Sequence, residues 1–168
     1  NGFLYLADGN SIHKFDGQTG ANGTFTASAI DLAEGWIIKD TLEWKGFMWI
    51  AASYEFNKTT ITAKPPRRAA VFLWNFQSRK SADFSGFDKG STFLFENTFD
   101  ISPIFLYDGT PHLFLRTQQQ STRLMRFTGS EFSVVWEEAG DIIPNKDGIT
   151  EYYGHLAWLP STAGDGVF

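Results

Sequence analysis

The sequence predicts an all-β fold made of repeated four-stranded antiparallel units, and three observations point there. First, the apolar residues run in short stretches bounded by Gly, Asp, Asn and Thr, the pattern of strands and turns. Helical spacing is not sustained anywhere; the best stretch, Ile30 to Trp36, is short and contains Gly35. Second, 17% of the residues are aromatic, led by 17 Phe and 6 Trp. Such side chains suit pleated, half-buried surfaces. Third, one segment recurs along the chain.

The four copies are Gly2-Phe3-Leu4-Tyr5-Leu6, Gly46-Phe47-Met48-Trp49-Ile50, Pro111-His112-Leu113-Phe114-Leu115 and Gly154-His155-Leu156-Ala157-Trp158. Each is a turn residue, then Phe or His, then Leu or Met, then mostly aromatic and apolar residues. The starts lie 44, 65 and 43 residues apart. That period fits one four-stranded unit, and the long interval implies roughly 20 inserted residues in one of them.

The first unit is expected to supply three strands, Phe3–Ala7, Ser11–Phe15 and Thr24–Ile30. The second, with the insertion, reads as Ile37–Trp44, Phe47–Ser53, Ala70–Phe76 and Ser91–Phe99. The third reads as Ile101–Tyr107, His112–Arg116, Arg123–Phe127 and Phe132–Glu137, and the last as Ile149–Tyr153 and His155–Leu159. Asp16-Gly17, Asp108-Gly109 and Thr128-Gly129 each follow an aromatic residue and suit tight hairpins, because Gly takes positive φ at little cost. The units therefore span 1–35, 36–100, 101–142 and 143–168. The chain opens and closes inside a unit and has no initiator Met, so it is expected to be a piece of a longer polypeptide.

This pattern resembles the β-propeller superfold. The resemblance implies blades of four antiparallel strands, each burying its aromatic residues on its neighbours. The WD40 Trp-Asp and kelch double-Gly signatures are absent. Gly86-Phe87-Asp88-Lys89-Gly90-Ser91-Thr92-Phe93 resembles the Asp-box of sialidase-like propellers, with Gly86 in place of the Ser and Phe93 in place of the Trp. An Asp-box stabilises a turn and carries no catalysis. About three blades fall short of the roughly four to eight that close a ring. The expectation is an incomplete ring, completed by the remainder of the chain or by another subunit.

Composition narrows the chemistry. With no Cys there is no disulfide, thiol nucleophile or Cys-ligated metal. A net charge of −5 argues against a nucleic-acid surface. No apolar run approaches the roughly 20 residues of a membrane-spanning helix, so no membrane insertion is expected. P-loop, dinucleotide, nucleophile-elbow and zinc-protease motifs are absent.

The remaining candidate residues have plain structural roles beside the functional ones. His112 and His155 hold the repeat position filled by Phe3 and Phe47, which makes them structural rather than metal ligands; His13 lies in a different strand. Glu43, Asp108 and Glu151 each lie four residues before that position. They either ring a channel or solvate hairpin ends, and turn chemistry favours the second. Asn145-Lys146-Asp147-Gly148 resembles part of a calcium loop, but EF-hand register puts Ile143 and Gly154 where carboxylates are required. No catalytic, cofactor-binding or metal residue is assigned. The best place for function is the basic insertion, Asn57–Arg68 with Gln77–Lys89, whose Lys64, Arg67, Arg68, Arg79 and Lys80 are candidate partner contacts.

The functional expectation is a non-enzymatic structural or adhesion module of a large assembly. The resemblance is to propellers of bacteriophage tail and fibre proteins, and it implies a virion or an extracellular surface. The partners would be other subunits, the rest of the chain, or a surface glycan. An extracellular carbohydrate-binding propeller and a sialidase- or glycosidase-like enzyme are the alternatives.

Overall fold

The computed structural model describes residues 3–17, 23–54, 68–76, 92–119 and 121–139, together with the short strands Trp158–Leu159 and Gly166–Val167. The described residues form antiparallel sheets, and no helix among them is long and apolar enough to cross a membrane. The first sheet runs β1 (Leu4–Asp8), β2 (Ser11–Phe15), β3 (Phe25–Asp31) in that order. The second is a four-stranded meander of β4 (Trp36–Trp44), β5 (Phe47–Tyr54), β6 (Arg68–Trp74) and β7 (Thr92–Glu96). The third contains β8 (Thr98–Ile101), β9 (Phe105–Tyr107), β10 (Thr110–Thr117), β11 (Ser121–Phe127) and β12 (Phe132–Ala139). In it β8 and β9 pair with opposite halves of the same edge of β10. A last hairpin joins β13 (Trp158–Leu159) to β14 (Gly166–Val167).

Turn residues set the hairpins. Trp44 pairs with Phe47 and Tyr107 with Thr110, so Lys45-Gly46 and Asp108-Gly109 are two-residue loops. All four have positive φ, at 49°, 78°, 49° and 67°, as a type I′ turn demands. Thr128 closes the β11–β12 loop by a different device: its amide and its hydroxyl both donate to the Glu131 carbonyl, at 2.8 and 3.0 Å.

The sheets stack face to face, and the repeat explains how. One buried cluster joins Ile12, Ile30 and Leu32 of the first sheet to Met48, Ile50, Phe72 and Trp74 of the second. Another joins Trp49, Ala51 and Val71 of the second to Leu113, Leu115 and Phe127 of the third. Successive residues of a strand point to opposite faces, so in β5 Met48 and Ile50 serve one interface and Trp49 the other. The third sheet repeats that assignment: Leu113 and Leu115 face back onto the second sheet. In the first sheet Tyr5, at the Trp49 position, packs forward onto the second, edge-on to Trp74 at 5.8 Å. Strand β5 is covered on both faces, which explains why it reads as a nearly continuous apolar run instead of an alternation. Ala51, Ala52, Ala69 and Ala70 are all fully buried, so small side chains fill part of the middle of this sheet beside Ile50, Val71 and Phe72.

Two expected strands are corrected. The expected strand Ser91–Phe99 stops at Glu96, and Thr98–Phe99 open β8 in the next sheet. Asn97, at φ 55°, makes the break; Asn is among the few side chains that accept this left-handed conformation. The expected strand Ile101–Tyr107 is split by residues 102–104 into β8 and β9. Pro103 has no N–H to give a ladder. Polar groups satisfy the gap: the Ser102 amide donates to the Phe114 carbonyl, the Phe114 amide to Ser102 Oγ, and the Ile104 amide to Asp40 Oδ2. The other expected strands match within two residues at each end wherever the chain is described. Ile149–Tyr153 lies outside the described residues. The stretch Ile30–Trp36 ends β3 and turns into β4.

Candidate functional site

Of the five basic residues expected at partner contacts, Lys64, Arg67, Arg79 and Lys80 lie outside the described residues. Arg68 opens β6, and its guanidinium lies over the rings of Tyr54 (4.9 Å) and Trp36 (5.7 Å). The Asp-box-like turn at 86–91 also lies outside, but Phe93 stacks on Trp49 at 6.0 Å inside the second interface. Glu151, His155 and residues 143–148 are likewise outside.

The described histidines have structural partners. His112 is buried, stacked on Phe105 at 5.8 Å and met edge-on by Tyr107 at 5.7 Å. Its Nδ1 lies 2.8 Å from the Thr110 carbonyl, which only accepts, so Nδ1 carries a hydrogen. His13 Nδ1 instead accepts from the Ser28 amide at 3.0 Å, and its ring stacks on Phe25. Among the described residues no group of three or more His, Asp or Glu could hold a metal ion. Glu43 and Asp108 are both exposed, and Asp108 occupies the first position of its type I′ turn.

Two surface features stand out that the sequence reading did not single out. The first is the free face of the first sheet. Leu6 pairs with His13, and Leu4 with Phe15, which in turn pairs with Phe25. Leu4, Leu6 and Phe25 are all exposed there. The same sheet lacks the strand that β4 supplies to the second sheet, so among the described residues β1 pairs on one side only. Parity within the repeat could have revealed this face, since Leu4 and Leu6 hold the positions of Met48 and Ile50.

The second feature is a pair of clefts near the hairpin ends of the third sheet, one of which also touches the second. One cleft, of about 290 Å³, is lined by Phe105, Tyr107, Asp108, His112, Leu124 and Arg126, with Val135 at its side. A second, of about 450 Å³, is lined by Trp44 and Lys45 from one sheet and by Thr110, Arg126, Thr128 and Ser133 from the other. Arg126 and Val135 line both clefts, and the first lies on the face of the third sheet turned away from the second, because His112, Leu124 and Arg126 alternate with Leu113, Met125 and Phe127. Arg126 stands on β11 between His112 of β10 and Ser133 of β12. Lys45 sits over the Trp44 ring at 4.3 Å. Among the described residues neither Lys45 nor Arg126 has a carboxylate within ion-pair distance. No sequence signal marks these clefts, because their residues come from three separate hairpins.

Comparison with known proteins finds no matching family model, no similar curated protein and no similar solved structure.

Proposed function

We propose that this chain is a non-enzymatic structural and adhesion module: an arc of β-propeller blades whose open faces are covered by further sheets of a large assembly. One observation carries the reading. Leu4 and Leu6 hold the repeat positions of Met48 and Ile50, and of Leu113 and Leu115. Those four are 4%, 0%, 0% and 2% exposed beneath the preceding sheet, whereas Leu4 and Leu6 are 53% and 50% exposed. The occupant that matches is another sheet of the same build, stacked as the first is on the second. An exposed apolar face beside a free strand edge invites such a partner.

A bacteriophage tail or fibre is the assembly this architecture resembles, with loops contacting neighbouring proteins or a host surface. The concentration of positive charge in the insertion, on a chain of net charge −5, supports a contact role for Lys64, Arg67, Arg68, Arg79 and Lys80.

Sedimentation of the 168-residue chain tests the reading. The wild-type chain is expected to associate as its concentration rises. Leu4→Lys/Leu6→Lys is expected to return it to a monomer with an unchanged far-UV circular dichroism spectrum. A wild-type chain that stays monomeric and melts cooperatively would overturn it.

A further inference from the structure

We infer that His13 is a pH-sensitive latch on the open face of the first sheet: neutral, it holds the β3 bulge in the form that receives a further sheet, and protonated, it releases that form. The inference deepens the reading above, on which it rests, by giving the docking face a control.

The latch starts from a mismatch in the ladder. Ile12 pairs with Ile30 and Lys14 with Thr26, so His13 alone on β2 stands opposite Ala27, Ser28 and Ala29 of β3. The extra residues are left outside the ladder. Ser28 takes a left-handed φ of 49°, which a residue other than Gly keeps only where its surroundings hold it. The holding group is the imidazole: the Ser28 amide donates to His13 Nδ1 at 3.0 Å. A backbone amide nitrogen only donates, so Nδ1 is bare and the neutral ring carries its hydrogen on Nε2.

The ring lies where a docking sheet would meet it. His13 pairs with Leu6, so the two side chains share the face turned away from the second sheet. The imidazole stacks there on the exposed ring of Phe25 at 5.6 Å. Protonation gives both ring nitrogens a hydrogen and leaves no acceptor, so the Ser28 amide then faces a second donor and the bulge loses its bond. It also puts a charge among Leu4, Leu6 and Phe25, and covering that charge with an apolar sheet costs its hydration. Both effects oppose docking in acid.

The charged groups around the ring supply a counterion. Asp8 of β1 brings Oδ2 to 4.0 Å from Nε2, and Asp31 of β3 lies on the same face, accepting from the Ser11 hydroxyl. Lys14 of β2 pairs with Tyr5 on the opposite face, over the Phe3 ring at 3.7 Å. The imidazolium therefore has carboxylates to settle beside once it gives up Ser28. Histidine is the side chain that changes charge between about pH 5 and 8, which sets the window of the latch.

Two measurements on the whole 168-residue chain test it. In ring and amide ¹⁵N NMR of the dilute chain, Nδ1 of His13 is expected to be a bare acceptor at about pH 8, and the Ser28 amide is expected to move in step with the protonation of that ring. In sedimentation, self-association is expected to weaken at least about 10-fold between about pH 8 and about pH 5.5. His13→Asn keeps an acceptor oxygen near the place of Nδ1 and does not titrate; it is expected to associate equally at both values, which also separates this ring from His112 and His155. Wild-type association that ignores pH, or a His13→Asn chain as pH-sensitive as wild type, overturns the inference. A hydrogen on Nδ1 at about pH 8, or a Ser28 amide that does not follow the ring, overturns it too. Association at neither pH defeats the reading of the open face instead, and the ring and amide signals then decide the latch alone, as they do if His13→Asn fails to fold.

Discussion

The carboxylate of Asp40 accepts a hydrogen bond from the backbone amide of Ile104 at 3.0 Å, across 64 residues of sequence and from one sheet to the next. It supplies the partner that the split strand β8–β9 cannot find in its own ladder. Beside it, Lys39 reaches Asp100 at 3.9 Å. The bulge between Ile38 and Asp40 in the β4–β5 ladder lies at the same place. Irregularity in one sheet is thus matched to irregularity in its neighbour.

Burial raises the Asp40 carboxyl above the ordinary aspartate range, and the amides of Ile104 and Thr41 only partly offset it. The folded state therefore holds this proton more tightly than the unfolded state. The group favours folding when protonated, and stability declines as pH rises from roughly 4 through the raised folded value. Urea midpoints across that window should show the decline in wild type relative to Asp40→Asn, which keeps an acceptor oxygen but does not titrate. Asp40→Ala should cost about 1–3 kcal/mol by leaving the Ile104 amide unpaired. Parallel pH profiles for wild type and Asp40→Asn would refute the assignment.

Gly35 leads into β4 with φ 94°, and a Cβ there would lie 2.6 Å from Tyr54 Cε2. Gly35→Ala should lose about 1–3 kcal/mol from backbone strain and the clash together. Removing the ring with Tyr54→Ala should relieve only the clash, so the double variant should be less destabilised than the sum of the two. Thermal melts of the three variants measure this, and simple additivity would exclude the clash.

Ile50 and Leu6 occupy one repeat position in different settings. Ile50→Ala should destabilise the chain by about 2–5 kcal/mol, since the side chain is fully buried between sheets. Leu6→Ala should cost less than about 1 kcal/mol at low concentration, where its face is open. Denaturant titrations at two chain concentrations separate the cases, and equal losses would show that the Leu6 face is already covered.

On β12 the Glu137 carboxylate accepts from the Ser121 hydroxyl at 2.8 Å and from Arg123 Nε at 2.9 Å. These contacts, the serine first, hold its pKa below the ordinary glutamate value. Its favourable contribution is present above that ordinary value and fades as pH falls through the lowered one. Side-chain carboxyl NMR should find Glu137 titrating below the range of an ordinary glutamate. Ser121→Ala and Arg123→Gln should each raise its midpoint, and an unmoved midpoint would rule these contacts out as the cause.

Local chemistry made much of this fold legible in the chain itself. Gly46 and Gly109 announce hairpins because type I′ turns need positive φ. The recurring turn-aromatic-aliphatic segment locates β1, β5 and β10, and period-2 alternation tells which of its side chains face back and which forward. That same parity puts the exposed Leu4 and Leu6 at the positions that Met48, Ile50, Leu113 and Leu115 fill between sheets. Tertiary structure alone decided where ladders end and which hairpins meet. Asn97 reads like any strand residue until its left-handed backbone carries the chain into the next sheet. Pro103 signals trouble in a strand, but only the stacked sheets reveal that Asp40 repairs it. The second cleft forms because the second and third sheets pack so that Trp44 and Lys45 end beside Thr110 and Arg126. Turn propensity and alternation act over a few residues, whereas the meeting of two hairpins is set by how buried faces interlock, and no local pattern encodes that.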